Sequence, residues 1–191
     1  ACFDYVAQHL PKQFLVISGG LAPGVPENFY ARLATLAKAH GVRVVLDTNG
    51  PALAEALKVG VYLFKPSLRE LRDLIGQDLP DQDSQISAAQ QLIQRGQAEI
   101  VAVSLGADGA MVVSSDQVWW ARAVHVNVQT TIGAGDSFVA GMVWALSRES
   151  SLLKAFQFGM ASGAAALLAR GTSLSQASDV HELLPRVTVN S

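Results

Sequence analysis

QFLVISGGLAPGVPENFYARLATLAKAHGVRVVLD, residues Gln13 to Asp47, reads as strand, helix, strand. Gln13 to Ser18 is a short apolar run that opens into Gly19-Gly20, the pattern of a buried strand leaving its sheet through a loop. Pro26 suits a first helical turn, and Phe29, Leu33, Leu36 and Ala37 recur on one helical face until Gly41 stops the helix. Val42 to Asp47 is then a second strand. Parallel strands need a crossover, usually a helix, and that crossover is right-handed, so this unit predicts a parallel pair.

The same rhythm runs outward from there. A short helix over Ala52 to Leu57 leads to a third strand, Val61 to Phe64, and a helix through Leu68, Leu71 and Ile75 follows Lys65-Pro66. The polar stretch DLPDQDSQ precedes a helix through Ala88, Leu92 and Ile93 that Gly96 stops, and Ile100 to Leu105 is a further buried strand. Ala110 to Ser114, Val118 to Ala121 and Val124 to Val128 read as shorter strands with a polar turn at Ser115-Asp116, a predicted antiparallel edge. Helices from about Asp136 and about Leu152 close the apolar material before a polar tail. The expected fold is α/β: a three-layer α/β/α sandwich with a mostly parallel sheet, one domain over residues 1–191, and ligands beyond the carboxyl ends of the strands.

Composition narrows the function classes. With 191 residues, a net charge of −2 and scattered Lys and Arg, the chain offers no basic face for nucleic acid and no polybasic membrane anchor. Its apolar runs fall short of the roughly 20 residues a bilayer span needs. Cys2 is the only cysteine, so neither an intrachain disulfide nor a thiolate metal site can form, and a reducing cytoplasm is the expected compartment. His9, His40, His125 and His181 lack zinc-ligand spacing, and His40 before Gly41 reads as the C-terminal residue of a helix. Trp119 and Trp120 are adjacent, so a strand would turn one inward and one outward. Small-molecule chemistry is the reading that remains.

That chemistry concentrates at Thr130-Thr131-Ile132-Gly133-Ala134-Gly135-Asp136-Ser137-Phe138, followed directly by the helical pattern VAGMVWAL. Small residues feeding a helix leave backbone N–H groups aimed forward with nothing bulky before them, a cradle for phosphate. Asp136 at that terminus sits where the dipole favours negative charge and can accept a hydroxyl proton. The alternative is that Asp136 caps a helix and the glycines turn the chain. The segment is neither a Walker A loop, since no Gly-Lys-Ser/Thr follows, nor a dinucleotide fingerprint, since Phe138 stands where the third glycine would fall.

Gly133-Ala134-Gly135-Asp136 with Ser137 to Gly141 resembles the C-terminal signature of the PfkB/ribokinase family of carbohydrate kinases. Further family-like blocks occur in order: Val16 to Gly24, Asp47 closing a strand, Lys65-Pro66-Ser67-Leu68-Arg69-Glu70-Leu71, Val103 to Ala110, and Phe158-Gly159 to Gly171-Thr172. The resemblance implies a ribokinase-like fold without the N-terminal sugar-binding portion and lid, and a homodimeric parent. It implies phosphoryl transfer from ATP with Mg²⁺ to a sugar phosphate, fructose 6-phosphate giving fructose 1,6-bisphosphate foremost. Kinases of fructose 1-phosphate or tagatose 6-phosphate are the nearest alternatives, and a non-catalytic nucleotide-binding module is the more distant one.

Carried over by residue, the resemblance makes Asp136 the catalytic base and Gly133, Ala134 and Gly135 the anion hole. Lys65, Ser67, Ser104, Gly106, Gly109 and Ala164 fall at nucleotide-binding positions, and Glu70 and Asp47 at positions that organise Mg²⁺ through water. Thr130, Ile132, Ala166, Gly171 and Ser173 fall where carbonyls can hold a monovalent cation such as K⁺. Each has a structural alternative: a hairpin turn for SLGADGA, an exposed helix residue for Glu70, a solvated strand end for Lys65, a helix cap for Asp47. Ser67 departs from the family's KPNxxE pattern, where Asn is usual; a hydroxyl is shorter and has one proton to donate, which implies weaker nucleotide or metal contacts there.

Overall fold

The computed structural model describes residues 2–169 and 175–191. They form two compact units, one of Ala1–Val103 with Val113–Asp116, the other of Ser104–Val112 with Gln117–Ser191.

The first unit runs α1 (Cys2–Gln8), β1 (Phe14–Ser18), α2 (Phe29–Ala39), β2 (Arg43–Asp47), α3 (Gly50–Val59), β3 (Val61–Phe64), α4 (Leu68–Ile75), α5 (Gln82–Gln94) and β4 (Ala98–Ser104, whose last residue belongs to the second unit). β1 pairs with β2, β2 with β3 and β3 with β4, all parallel, as the strand-helix-strand rhythm requires. Register runs Phe14↔Arg43 to Ser18↔Asp47, then Leu46↔Phe64, then Phe64↔Val101. Val44, Val45 and Leu46 are consecutive and all buried. Successive strand residues face opposite sides, so both faces of β2 are covered. β1 stands at the end of the strand order, and its Val16 is 44% exposed. Across the amino ends, the Arg43 guanidinium lies 4.0 Å from the Phe14 ring centroid and 4.9 Å from that of Tyr62, so one cation bridges the aromatics of both neighbouring strands.

The second unit holds β5 (Ala110–Val113, whose last residue belongs to the first unit), β6 (Val118–Ala121), α6 (Ala134–Leu146), α7 (Leu152–Leu168), α8 (Ala177–Leu183) and β7 (Val189–Asn190). β6 and β7 are antiparallel, Ala121 opposite Val189. α6 packs on α7 through Phe138 and Phe156, whose rings meet edge to face at 6.2 Å. At Gly141 a Cβ would lie 2.6 Å from the Phe158 carbonyl, so the helices approach at backbone distance there.

The fold is α/β with a mostly parallel sheet and flanking helices, as expected. Several local expectations need correction. Val124 to Val128 alternates like a strand but forms none, and the strand beside β6 comes from the tail instead. That tail also contains α8. The polar DQDSQ is not a spacer: Asp81 is the N-cap of α5 and Gln82 its first residue. In α2 the buried face is Tyr30, Leu33, Ala34 and Ala37, with Phe29 and Leu36 only partly covered, and Pro26 precedes the helix by three residues, its carbonyl accepting from the Phe29 N–H. Trp119 and Trp120 both lie on β6, and both are half-buried.

Candidate active site

In the first unit, adjacent parallel strands bring two of the expected residues together. β2 ends at Asp47 and β3 hands over to Lys65, whose N–H donates to the Leu46 carbonyl. Lys65 is 6% exposed, and its Nζ lies 3.2 Å from Asp47 Oδ1. A buried ammonium needs a partner of this kind. Lys65 is therefore not a solvated strand end. Nor does Asp47 cap a helix, because the residue at the N-cap of α3 is Asn49.

Pro66 and Ser67 follow, and Ser67 starts α4 with a capping box. Its Oγ accepts from the Glu70 N–H at 3.2 Å, while Glu70 Oε2 accepts from the Ser67 N–H at 2.7 Å and from its hydroxyl at 2.9 Å. Glu70 is thus half-buried and fixed in the first turn. Burial pushes its carboxyl upward, but the Ser67 N–H and hydroxyl, the Lys65 charge and the Asn49 side chain outweigh that and hold it below the ordinary 4.5.

These donors suit Mg²⁺ more than a transition metal. Two carboxylates beside one ammonium offer hard oxygens, and among the described residues no three His, Cys, Asp or Glu cluster into a cage of their own. Mg²⁺ keeps several waters and is commonly held by one or two carboxylates plus substrate phosphates.

In the second unit, Gly133 is the N-cap of α6 in the left-handed region, φ 78, with no atom within 4 Å of where a Cβ would stand. Ala134 and Gly135 open the helix, and Asp136 is the exposed acidic residue of its first turn. Asp136 is therefore not the cap. Ser104 ends β4, and a single turn of 3₁₀ helix over Gly106–Asp108 follows, closed by the Leu105 N–H donating to the Gly109 carbonyl at 2.8 Å. Gly106 (φ 64) has nothing within 4 Å of a Cβ position, whereas at Gly109 (φ 114) a Cβ would fall 2.0 Å from the Ala121 carbonyl oxygen. Gly109 is thus explained by backbone packing. Ala164 is buried in α7. The Thr130 hydroxyl accepts from the Ile132 N–H at 3.1 Å, the Ala166 carbonyl from the Ala169 N–H, and the Ile132 side chain is exposed. Gly171 and Ser173 lie outside the described residues.

The α/β fold with its mostly parallel sheet is ribokinase-like. An Arabidopsis thaliana ribokinase complexed with ribose and ATP matches it in fold, TM-score 0.75 at 21% identity, over 90% of this chain and 55% of that one. The description "pfkB family carbohydrate kinase" matches residues 5–179, and the chain belongs to that family. It is 40% identical over 167 residues to ATP-dependent 6-phosphofructokinase isozyme 2 of Mycobacterium tuberculosis, covering 87% of this chain and 49% of that protein. With 1-phosphofructokinase of Bacillus subtilis it shares 32% over 175 residues, 92% of this chain and 57% of the relative. Phosphofructokinase-2 from Escherichia coli, solved in complex with potassium, superposes with TM-score 0.90 at 36% identity, over 96% of this chain and 60% of that one. The chain spans about half the length of the curated relatives it matches.

Proposed function

We propose that this chain is the nucleotide-binding and base-supplying portion of an ATP-dependent sugar-phosphate kinase, a single incomplete domain over residues 1–191, with fructose 6-phosphate as acceptor. The observation that carries the reading is the α6 terminus: Gly133 in a conformation that leaves its front face open, two small residues, and the exposed Asp136 carboxylate in the same turn. The relatives named 6-phosphofructokinase support the acceptor, and those named 1-phosphofructokinase make fructose 1-phosphate the second candidate.

In this reading the N–H groups of Gly133, Ala134 and Gly135 take the charge that builds on the transferring phosphoryl group. Asp136 accepts the proton of the attacking sugar hydroxyl as the O–P bond forms. Ser104 and Gly106 lie against the nucleotide, with Ala164 in α7 beside it, and Lys65 supplies positive charge for phosphate. Glu70 and Asp47 would hold Mg²⁺ through water, and the ion would neutralise charge on the phosphates. Carbonyls of Thr130, Ile132 and Ala166 are proposed for K⁺, on the strength of the potassium complex of the Escherichia coli relative. A second subunit, as in the tetrameric inhibited form of that relative, is proposed for the parent.

Isothermal titration of the 191-residue chain with ADP in the presence and absence of Mg²⁺ tests the nucleotide reading. Saturable, Mg²⁺-strengthened binding that Gly133→Val abolishes is expected. An absence of nucleotide binding by a folded chain would remove it.

A further inference from the structure

We propose that Thr48 is a positioning residue for the Asp47 carboxylate, its hydroxyl fastening the exit of β2 to the exit of β1. The inference rests on the reading of Asp47 as a metal-side residue.

The Gly19 residue, just past the end of β1, is held through both of its backbone polar groups. Its N–H donates to the Asp47 carbonyl at 3.0 Å. Its carbonyl accepts from the Thr48 hydroxyl at 2.7 Å and from the Tyr30 hydroxyl at 3.1 Å. A carbonyl oxygen has two lone pairs, so these two side chains fill it. Thr48 is 5% exposed and Tyr30 8%, and hydroxyls buried to that degree are costly to leave unpaired.

The mounting of Asp47 depends on this junction. On the other flank of β2, the Lys65 N–H donates to the Leu46 carbonyl at 3.0 Å, and the Lys65 ammonium lies 3.2 Å from Asp47 Oδ1. Asn49, the N-cap of α3, makes no capping bond, so the helix start does not fix the backbone leaving Asp47 through a cap. Thr48 fixes it from the strand side: its branched side chain is stiff at χ1, and its hydroxyl lands on the neighbouring strand exit. The ion pair alone would let the carboxylate follow Lys65, whereas the Thr48 bond holds the backbone beneath it.

Two hydroxyls on one acceptor also separate positioning from simple packing. Tyr30 comes from α2 and holds only the β1 exit, while Thr48 is the residue next to Asp47. Loss of either hydroxyl leaves the Gly19 carbonyl with one donor, so the structural cost is alike. Only loss of the Thr48 hydroxyl releases the residue beside the carboxylate. Partners of this outer kind orient metal-side carboxylates, and their loss typically weakens metal affinity by about 10- to 100-fold.

The test is calorimetric titration of the 191-residue chain with ADP across a Mg²⁺ series, with melting temperatures on the same samples. Thr48→Val, which keeps the shape and removes the hydroxyl, should raise the half-saturating Mg²⁺ concentration roughly tenfold, with ADP binding in the absence of Mg²⁺ unchanged. Thr48→Ala is the second removal, used if the valine variant does not fold, and the same shift is expected of it. Thr48→Ser should keep the wild-type Mg²⁺ dependence. Tyr30→Phe should lower the melting temperature by about 2–4 °C, as Thr48→Val does, yet leave the Mg²⁺ dependence as in wild type. If wild type binds Mg²⁺-ADP and loss of the Thr48 hydroxyl leaves the Mg²⁺ dependence unaltered, Thr48 is a tie between strands and the inference falls while the site reading stands. An equal shift in Tyr30→Phe, or a failure of Thr48→Ser to keep the wild-type behaviour, overturns it in the same way. If wild type shows no Mg²⁺-dependent nucleotide binding, the site reading falls and takes the inference with it.

Discussion

Gly106 and Gly109 look alike in SLGADGA, and only the structure separates them. Both have positive φ, but a Cβ on Gly106 would meet open space, while one on Gly109 would strike the backbone of Ala121 to Ala123. Gly109→Ala combines left-handed strain with an overlap that only backbone movement can relieve, together about 3–5 kcal/mol. A melting temperature lowered by roughly 10 °C is the expected result. Gly106→Ala should cost only about 1–2 kcal/mol of backbone strain yet weaken ADP binding, because its front face is the open one. Equal stability losses for the two variants would refute this division. At the same scale, Lys65 and Asp47 were each legible as site candidates from motif position, but their pairing was not, because it depends on the register of β2 with β3.

Helix starts are the next scale up. Two capping boxes open α4 and α5, Ser67 with Glu70 and Asp81 with Ser84. The first follows the usual Ser-x-x-Glu pattern. The second was not legible, because Ser at the third helical position is outside the usual pattern and the first apolar repeat of α5 comes later, at Ala88. Val124 to Val128 misled in the opposite direction: its alternation is that of a half-buried strand, yet Val124 is buried while Val128 is 52% exposed. Alternation reports a side-chain pattern but not whether a partner strand is there to take the hydrogen bonds.

The α4 box carries a pH signature. The Glu70 carboxyl is held below 4.5 in the folded chain, so its contribution is fully present above that value and is lost as pH falls through the lowered folded one. Asp81, held below 3.8 by the Ser84 N–H and hydroxyl, acts in the same direction for α5. Glu70→Gln keeps a box-competent side chain and removes the titration. Melting temperature followed from about pH 6 to about pH 3 should fall less steeply in Glu70→Gln than in wild type, with the curves converging at the acid end. Parallel curves would mean that Glu70 contributes nothing dependent on its charge.

At the scale of the molecule, the parallel α/β fold was legible because three strand-helix-strand units repeat a period that switches between buried runs and helical faces. Family membership was legible because motif blocks occur in order, and the pfkB match over residues 5–179 agrees. What remained unreadable belongs to pairs distant in sequence: Lys65 with Asp47, β6 with β7. The chain also spans only about half of its curated relatives, so the sugar acceptor rests on likeness to proteins such as 6-phosphofructokinase isozyme 2 rather than on contacts in this chain.

The central claim is that Asp136 is the base. It is tested by Asp136→Asn in the intact kinase, with steady-state turnover of fructose 6-phosphate and thermal melting measured on the same preparations. Asn keeps the size of Asp but cannot take the hydroxyl proton, so turnover should fall roughly 10²- to 10⁴-fold. Loss of one charge in the first turn of α6 should cost about 0.3–1 kcal/mol, a change in melting temperature of roughly 1–4 °C. Near-normal turnover with a clearly lowered melting temperature would contradict the account, leaving Asp136 as a structural residue of α6.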